Sequence, residues 1–304
     1  GDLEARTIQG SGARSSRRMT WLILLGYVII GIYFARTRSV NDVERGMLDL
    51  DHAEMADRYT REFGGTIPRY MPFRLPLEYW LWAWAHDLFA ARLVGLMVGG
   101  VGLWITMAWG GPIAGLVVLS GPVLVGALTS ASNVPYVATL WVGGLWALAT
   151  GHPLVALGCG VALALLRPTS WWMALWLLWA SGGIVLASGL AAYLWLMHPR
   201  VVRSQGWWRV LRREPCPVWG MPQDGWWFGL KTLIKRYESW IVWFTVVGIF
   251  GHWDAQATWL LGLTAGLFVL THLPRMLIRP KWAVGYVAEW LLPIAVAIGM
   301  MVAK

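Results

Sequence analysis

Apolar residues come in blocks along this chain, and polar residues collect between them. The blocks fall at 20–35, 92–109, 112–129, 134–149, 153–166, 170–197, 239–250, 255–270 and 283–303. A Trp-rich amphipathic piece, LPLEYWLWAWAHDLF, leads into the second block. The long run 170–197 carries Gly182 and Gly183 near its middle, where a re-entrant piece would break. A spanning helix needs roughly 20 apolar residues, fewer where its ends are covered by protein. The pattern predicts an all-α polytopic membrane protein with about nine transmembrane helices. Residues 1–19 read as a polar tail and 20–303 as one transmembrane domain, interrupted by polar loops at 36–91 and 199–237. No fixed-period repeat is present.

Composition agrees. The chain is 57% hydrophobic and 13% charged, about half the ~25% charge of a soluble domain. Its 24 tryptophans fit an anchor belt at the membrane–water interface, or aromatic contacts to lipid, pigment or partner helices. Cys159 and Cys216 make neither a disulfide framework nor a CxxC metal spacing. The start lacks the pattern of a cleaved signal peptide, so the first block is expected to stay as an anchor.

Charge orients the blocks. Residues 1–18 carry four arginines, 199–237 carry eight Lys/Arg against two acids, and 273–282 carry three basic residues and no acid. The positive-inside rule places all three on the cytoplasmic side. Nine alternating crossings from an inside N-terminus satisfy that, and put 36–91, with nine of the sixteen acids, outside. A bacterial inner membrane is the expected location. The net charge of +9 reports topology, so no nucleic-acid partner is needed to explain it.

Within the acidic loop, Asp49, Asp51 and Glu54 are closely spaced, and Leu48, Met55 and Tyr59 share one side of an amphipathic helix. Loop charges commonly form a solvated surface. A carboxylate at the water–lipid boundary can also take a proton from a nucleophile or bind a divalent cation beside a phosphate.

The stretch DHAEMADRYTREFGGTIPRYMPFRLPLEYWLWAWAHDLFAARLVGLM, 51–97, resembles the first external loop of fold-C (GT-C) glycosyltransferases, among them protein O-mannosyltransferases and aminoarabinose transferases. That loop has an Asp-containing start, a Pro-Arg, a Pro-Leu-x-Tyr-Trp and an Ala-Ala-Arg-Leu. Weaker similarity extends through SASNVPYV and LLRPTSWW, over the first two-thirds of the chain. The resemblance implies transfer of a sugar from a polyprenyl-phosphate donor. Asp51 would be the catalytic or metal-associated carboxylate, and Arg74, Arg92 and Arg167 would face the lipid phosphate. A divalent cation at Asp51 is the only cofactor it implies. His52 and Phe73 stand where relatives often carry acids, and Glu78 lies nearby. Arginines suit phosphate through their planar fork of donors, and equally anchor helix ends by snorkelling.

Elsewhere, no two histidines stand at i, i+3 or i+4, so no local zinc site is predicted. His152, His198, His252 and His272 sit near block ends, as tetrapyrrole ligands or as interfacial side chains. Glu289 is a carboxylate inside a late apolar run. The 199–237 loop alternates arginine with tryptophan, which suits anionic headgroups or another subunit. Two readings follow: a compact fold-C glycosyltransferase, and a non-catalytic accessory subunit of a larger membrane complex. The second would use Trp-rich faces and the N-terminal tail to pack on photosynthetic or respiratory partners.

Overall fold

A computed structural model describes residues 2–38, 88–166, 170–197, 226–274 and 284–303. Among them every regular element is helical and none is a strand. Helix α1 (Asp2–Thr37) runs unbroken through the polar tail into the first apolar block, because helix formers such as Leu3, Glu4, Ala5 and Arg6 extend a helix already nucleated. Helix α2 (Leu88–Leu119) bends at Gly111, whose φ is 77°. Pro112, which has no N–H to donate, starts its second limb. Then come α3 (Pro122–Leu128), α4 (Val134–Ala149), α5 (Pro153–Leu166), α6 (Trp171–Ala180), α7 (Ile184–Met197), α8 (Trp226–Arg236), α9 (Glu238–Phe250) and α10 (Ala255–Leu267). Prolines stand in the first turns of α3, α4 and α5, where a missing N–H costs nothing. Asp254 caps α10, its Oδ1 accepting from the Ala257 N–H at 2.7 Å. A π-helical turn (Phe268–His272) extends α10, and a 3-10 turn (Val284–Val287) leads into α11 (Ala288–Val302).

Among the described residues, two helices are long and apolar enough to cross a membrane: Ser16–Thr37 within α1, and α2. The 22 residues of the first span about 33 Å at 1.5 Å per residue, close to a ~30 Å hydrocarbon core.

Helix α11 is the hub, buried along nearly its whole length and packed against α2, α3, α4, α9 and α10. Backbones meet where it crosses α2. A Cβ on Gly299 would collide with the Gly110 carbonyl oxygen, and one on Gly110 would lie 2.8 Å from Val296 Cα. Small residues permit this approach. Gly299→Leu is therefore expected to lower stability by about 1–3 kcal/mol or more through overpacking, read as a lower unfolding temperature in detergent. Gly262→Leu, whose Cβ would meet open space, should leave that temperature nearly unchanged. Gly95 and Gly99 also serve packing, facing the Ser130 carbonyl and the Tyr27 hydroxyl.

Contacts fix the direction of the central helices. The first limb of α2 and α11 run parallel, Leu292 lying at Gly102 while Val296 and Gly299 lie at Gly110. α4 runs the same way, its Thr139 hydroxyl donating to the Val98 carbonyl at 2.9 Å. α1 runs opposite, with Tyr27 at Gly99 and Ala35 at Arg92. α9 also runs toward the far end, since the His252 N–H just beyond it donates to the Met301 carbonyl at 2.8 Å. Between the parallel starts of α2 and α11 the chain makes an even number of passes. The extra pass comes from 170–197, which is not one crossing but two helices. Its turn closes with Gly182 at φ 84° and the Gly183 N–H on the Leu178 carbonyl at 2.8 Å.

The bundle therefore has two unlike ends. At the loop end, α1 finishes, and α2, α4, α9 and α11 begin. The residues flanking 39–87 and 275–283 lie there, as does the entry to α9 after 198–225. At the turn end lie Gly111 and the short connections 150–152, 181–183 and 251–254. Alternating crossings require the acidic loop and the basic segments on opposite sides; helix direction instead brings the described residues that flank them to one end.

Candidate functional site

The acidic segment leaves the described structure after Arg38 and returns at Leu88, and three contacts tie these ends together. Arg92 is 3% exposed. Its Nη1 donates to the Ala35 carbonyl at 3.0 Å and the Arg38 carbonyl at 2.9 Å. The last carbonyls of a helix lack intrahelical donors and carry the negative end of its dipole, so a guanidinium there caps α1. Arg36 sits over the Phe89 ring at 5.7 Å, a cation–π contact. Arg38 Nη1 donates to the Gly126 carbonyl of α3 at 2.6 Å.

Beneath these residues lies the bend 129–133 between α3 and α4, irregular backbone that is wholly buried. Its hydroxyls are satisfied locally, against the last carbonyls of α3 and one another. Thr129 Oγ1 donates to the Val125 carbonyl at 3.0 Å and Ser130 Oγ to the Ala127 carbonyl at 2.7 Å. The Ser130 and Ser132 hydroxyls are 2.6 Å apart. Non-helical backbone in an apolar bundle persists only when its polar groups are met this way.

Of the residues proposed for sugar transfer, only Arg92 is described. Asp49, Asp51, His52, Glu54, Arg74, Glu78 and Arg167 lie outside the described residues. Among the described residues no group of three or more His, Cys, Asp or Glu could hold a metal.

A second polar cluster lies deeper, around α11. Glu289 and His272 are both buried, as is Tyr237 between α8 and α9. Burial holds the Tyr237 phenol well above the ordinary tyrosine range; the Arg236 charge opposes this, and the Glu289 charge adds to it. His272 ends the π-helical turn, stacked on Phe268 at 5.4 Å and tilted against Trp290 at 6.2 Å. Pro293 removes the N–H that would otherwise meet the Glu289 carbonyl.

Tryptophan fills the interior as well as the rim. Trp259, Trp176, Trp141 and Trp290 form a continuous chain at 5.8, 5.9 and 6.2 Å between ring centroids. The last two steps are edge-to-face, the geometry in which a positive ring edge meets a π face. The Trp141 and Trp290 indole nitrogens have no conventional hydrogen-bond partner. An interfacial reading of tryptophan misses this array. No protein-family model, curated protein or solved structure matches the chain.

Proposed function

We propose that the chain is a non-catalytic integral membrane subunit whose turn end docks on a partner subunit, with the apolar helices making ten passes once 170–197 is counted as two. The observation that carries this reading is the character of the turn end. Its three connections hold no Lys or Arg. Leu154, Trp179, Val185, Phe250 and Trp253 stand exposed beside them, Val185 at 85% and Phe250 at 72%. The exposed polar side chains Thr150, His152 and His252 in these connections are poorly suited to lipid tails, and exposed aliphatic side chains are poorly suited to water. A second protein answers both needs, supplying polar partners and apolar contact. The capping role of Arg92 supports the same reading, since a carbonyl-bound guanidinium explains that arginine without a phosphate.

The glycosyltransferase reading is favoured by a different observation. The ends of the Asp51 segment are built onto the bundle by Arg36, Arg38 and Arg92, more than a solvated loop requires. Asp51→Ala decides between the two. The subunit reading expects sugar transfer from polyprenyl-phosphate donors to be unchanged and the variant to co-isolate with its complex. A 10²- to 10⁴-fold loss of transfer, the usual scale for a general base, with the protein still folded, overturns it.

A further inference from the structure

The loop end carries a surface that neither reading uses. On α8, Trp227, Lys231, Ile234 and Lys235 form one exposed stripe at helical spacing, with Arg236 exposed beside it. The helix contains no acid. Its opposite face is held by the protein, Leu233 packing on the core. Beyond the break at Tyr237, α9 presents Ile241, Val242 and Phe244 to the outside, with no charge among them. Along one surface line the chain thus passes from lysine mixed with tryptophan to aliphatic side chains. That is the order a bilayer imposes from headgroups to hydrocarbon.

We infer that α8 lies in the headgroup layer and binds anionic phospholipid, and that the loop end of the bundle therefore faces the anionic cytoplasmic leaflet. This rests on the chain being a membrane protein. Lysine heads meet lipid phosphates while Trp227 and Ile234 enter the boundary with the tails. A free phosphate or nucleic acid would leave those two apolar side chains in water, so a lipid surface is the better match. Lys/Arg counts agree: segments with eight and three basic residues meet the loop end, against four in the tail entering α1 from the other. This keeps the basic segments cytoplasmic, as nine alternating crossings do, but puts the entry to α1 on the outer side and the residues flanking 39–87 on the inner one.

The test uses the full chain in vesicles of phosphatidylcholine with or without phosphatidylglycerol. Wild type should retain phosphatidylglycerol preferentially through mild detergent washing. Each basic residue near an anionic surface is worth about a fivefold change in partition, so Lys231→Gln should lower the preference about fivefold. Lys231→Gln/Lys235→Gln/Arg236→Gln should abolish it at an unchanged unfolding temperature. Undiminished preference in the triple variant overturns the headgroup assignment. If that variant misfolds, Lys235→Arg, which keeps the charge, must bind as wild type does. For orientation, Arg236→Cys in a Cys159→Ser/Cys216→Ser background should react with an impermeant maleimide only from the cytoplasmic side. Labelling of intact cells from outside overturns the orientation. Release of the whole chain by carbonate washing would overturn the membrane reading itself, a result distinct from both.

Discussion

Arg92→Ala is expected to be among the most damaging single substitutions in the bundle. The side chain is buried and donates to two carbonyls at the end of α1. Hydrogen bonds involving a charged group contribute about 1.5–3 kcal/mol each, and an acceptor left buried without a donor costs a comparable amount. A loss of about 3 kcal/mol or more follows. At 2–4 °C per kcal/mol this is a fall of roughly 6–12 °C in unfolding temperature, measurable by fluorescence-detected chromatography after heating. Arg92→Lys should recover part of it, because an ammonium keeps the charge and has donors enough for both carbonyls, but sits on a shorter stem than the guanidinium Nη1 that makes both bonds. Recovery of full stability by lysine would show that charge and donor count alone matter and that the reach of the guanidinium does not.

Trp290→Ala should cost about as much or more, roughly 3–5 kcal/mol by the scale of buried aromatic truncations. Trp290 touches Trp141, Phe268 and His272, so its removal opens a cavity where three elements meet. Trp290→Phe is the informative companion. Since the indole N–H has no hydrogen-bond partner, phenylalanine forfeits volume and ring contact but no hydrogen bond, and should recover most of the loss. Trp253→Ala, an exposed position, should stay within about 0.5 kcal/mol in detergent. A Trp253→Ala effect equal to that of Trp290→Ala would remove the distinction between core and surface tryptophan drawn from the structure.

Much of the helix layout is legible in the sequence. The blocks 134–149 and 153–166 coincide with α4 and α5, because Pro and Gly punctuate them and each of these residues acts through local backbone geometry. The break near Gly182 is legible for the same reason. Its consequence is not. A glycine pair in an apolar run marks an interruption, but whether the chain then continues or returns depends on a left-handed turn and on packing between helices. One missed return reverses every later loop, and the basic segments happen to satisfy the alternating count. The acidic and basic segments therefore read as opposed when their flanking residues share an end. The role of Arg92 is hidden likewise, since an arginine four residues into a helix reads as well for a phosphate as for a neighbouring helix's carbonyls. Tryptophan burial is hidden because composition counts rings without saying which way they face.

The central position of α11 bears on how the protein is made. Gly110 and Gly299, which meet in the finished bundle, leave the ribosome about 10–40 s apart at 5–20 residues per second. Through most of that interval α2 and α4, joined late by α9 and α10, must wait with the groove meant for α11 unfilled. A chain cut short before Ala288 would leave that groove open for good, exposing the glycine contacts and the Trp141 ring. The arrival of α11 is therefore the step that commits the earlier helices to one another, and quality-control proteases would read a chain without it by its vacant centre.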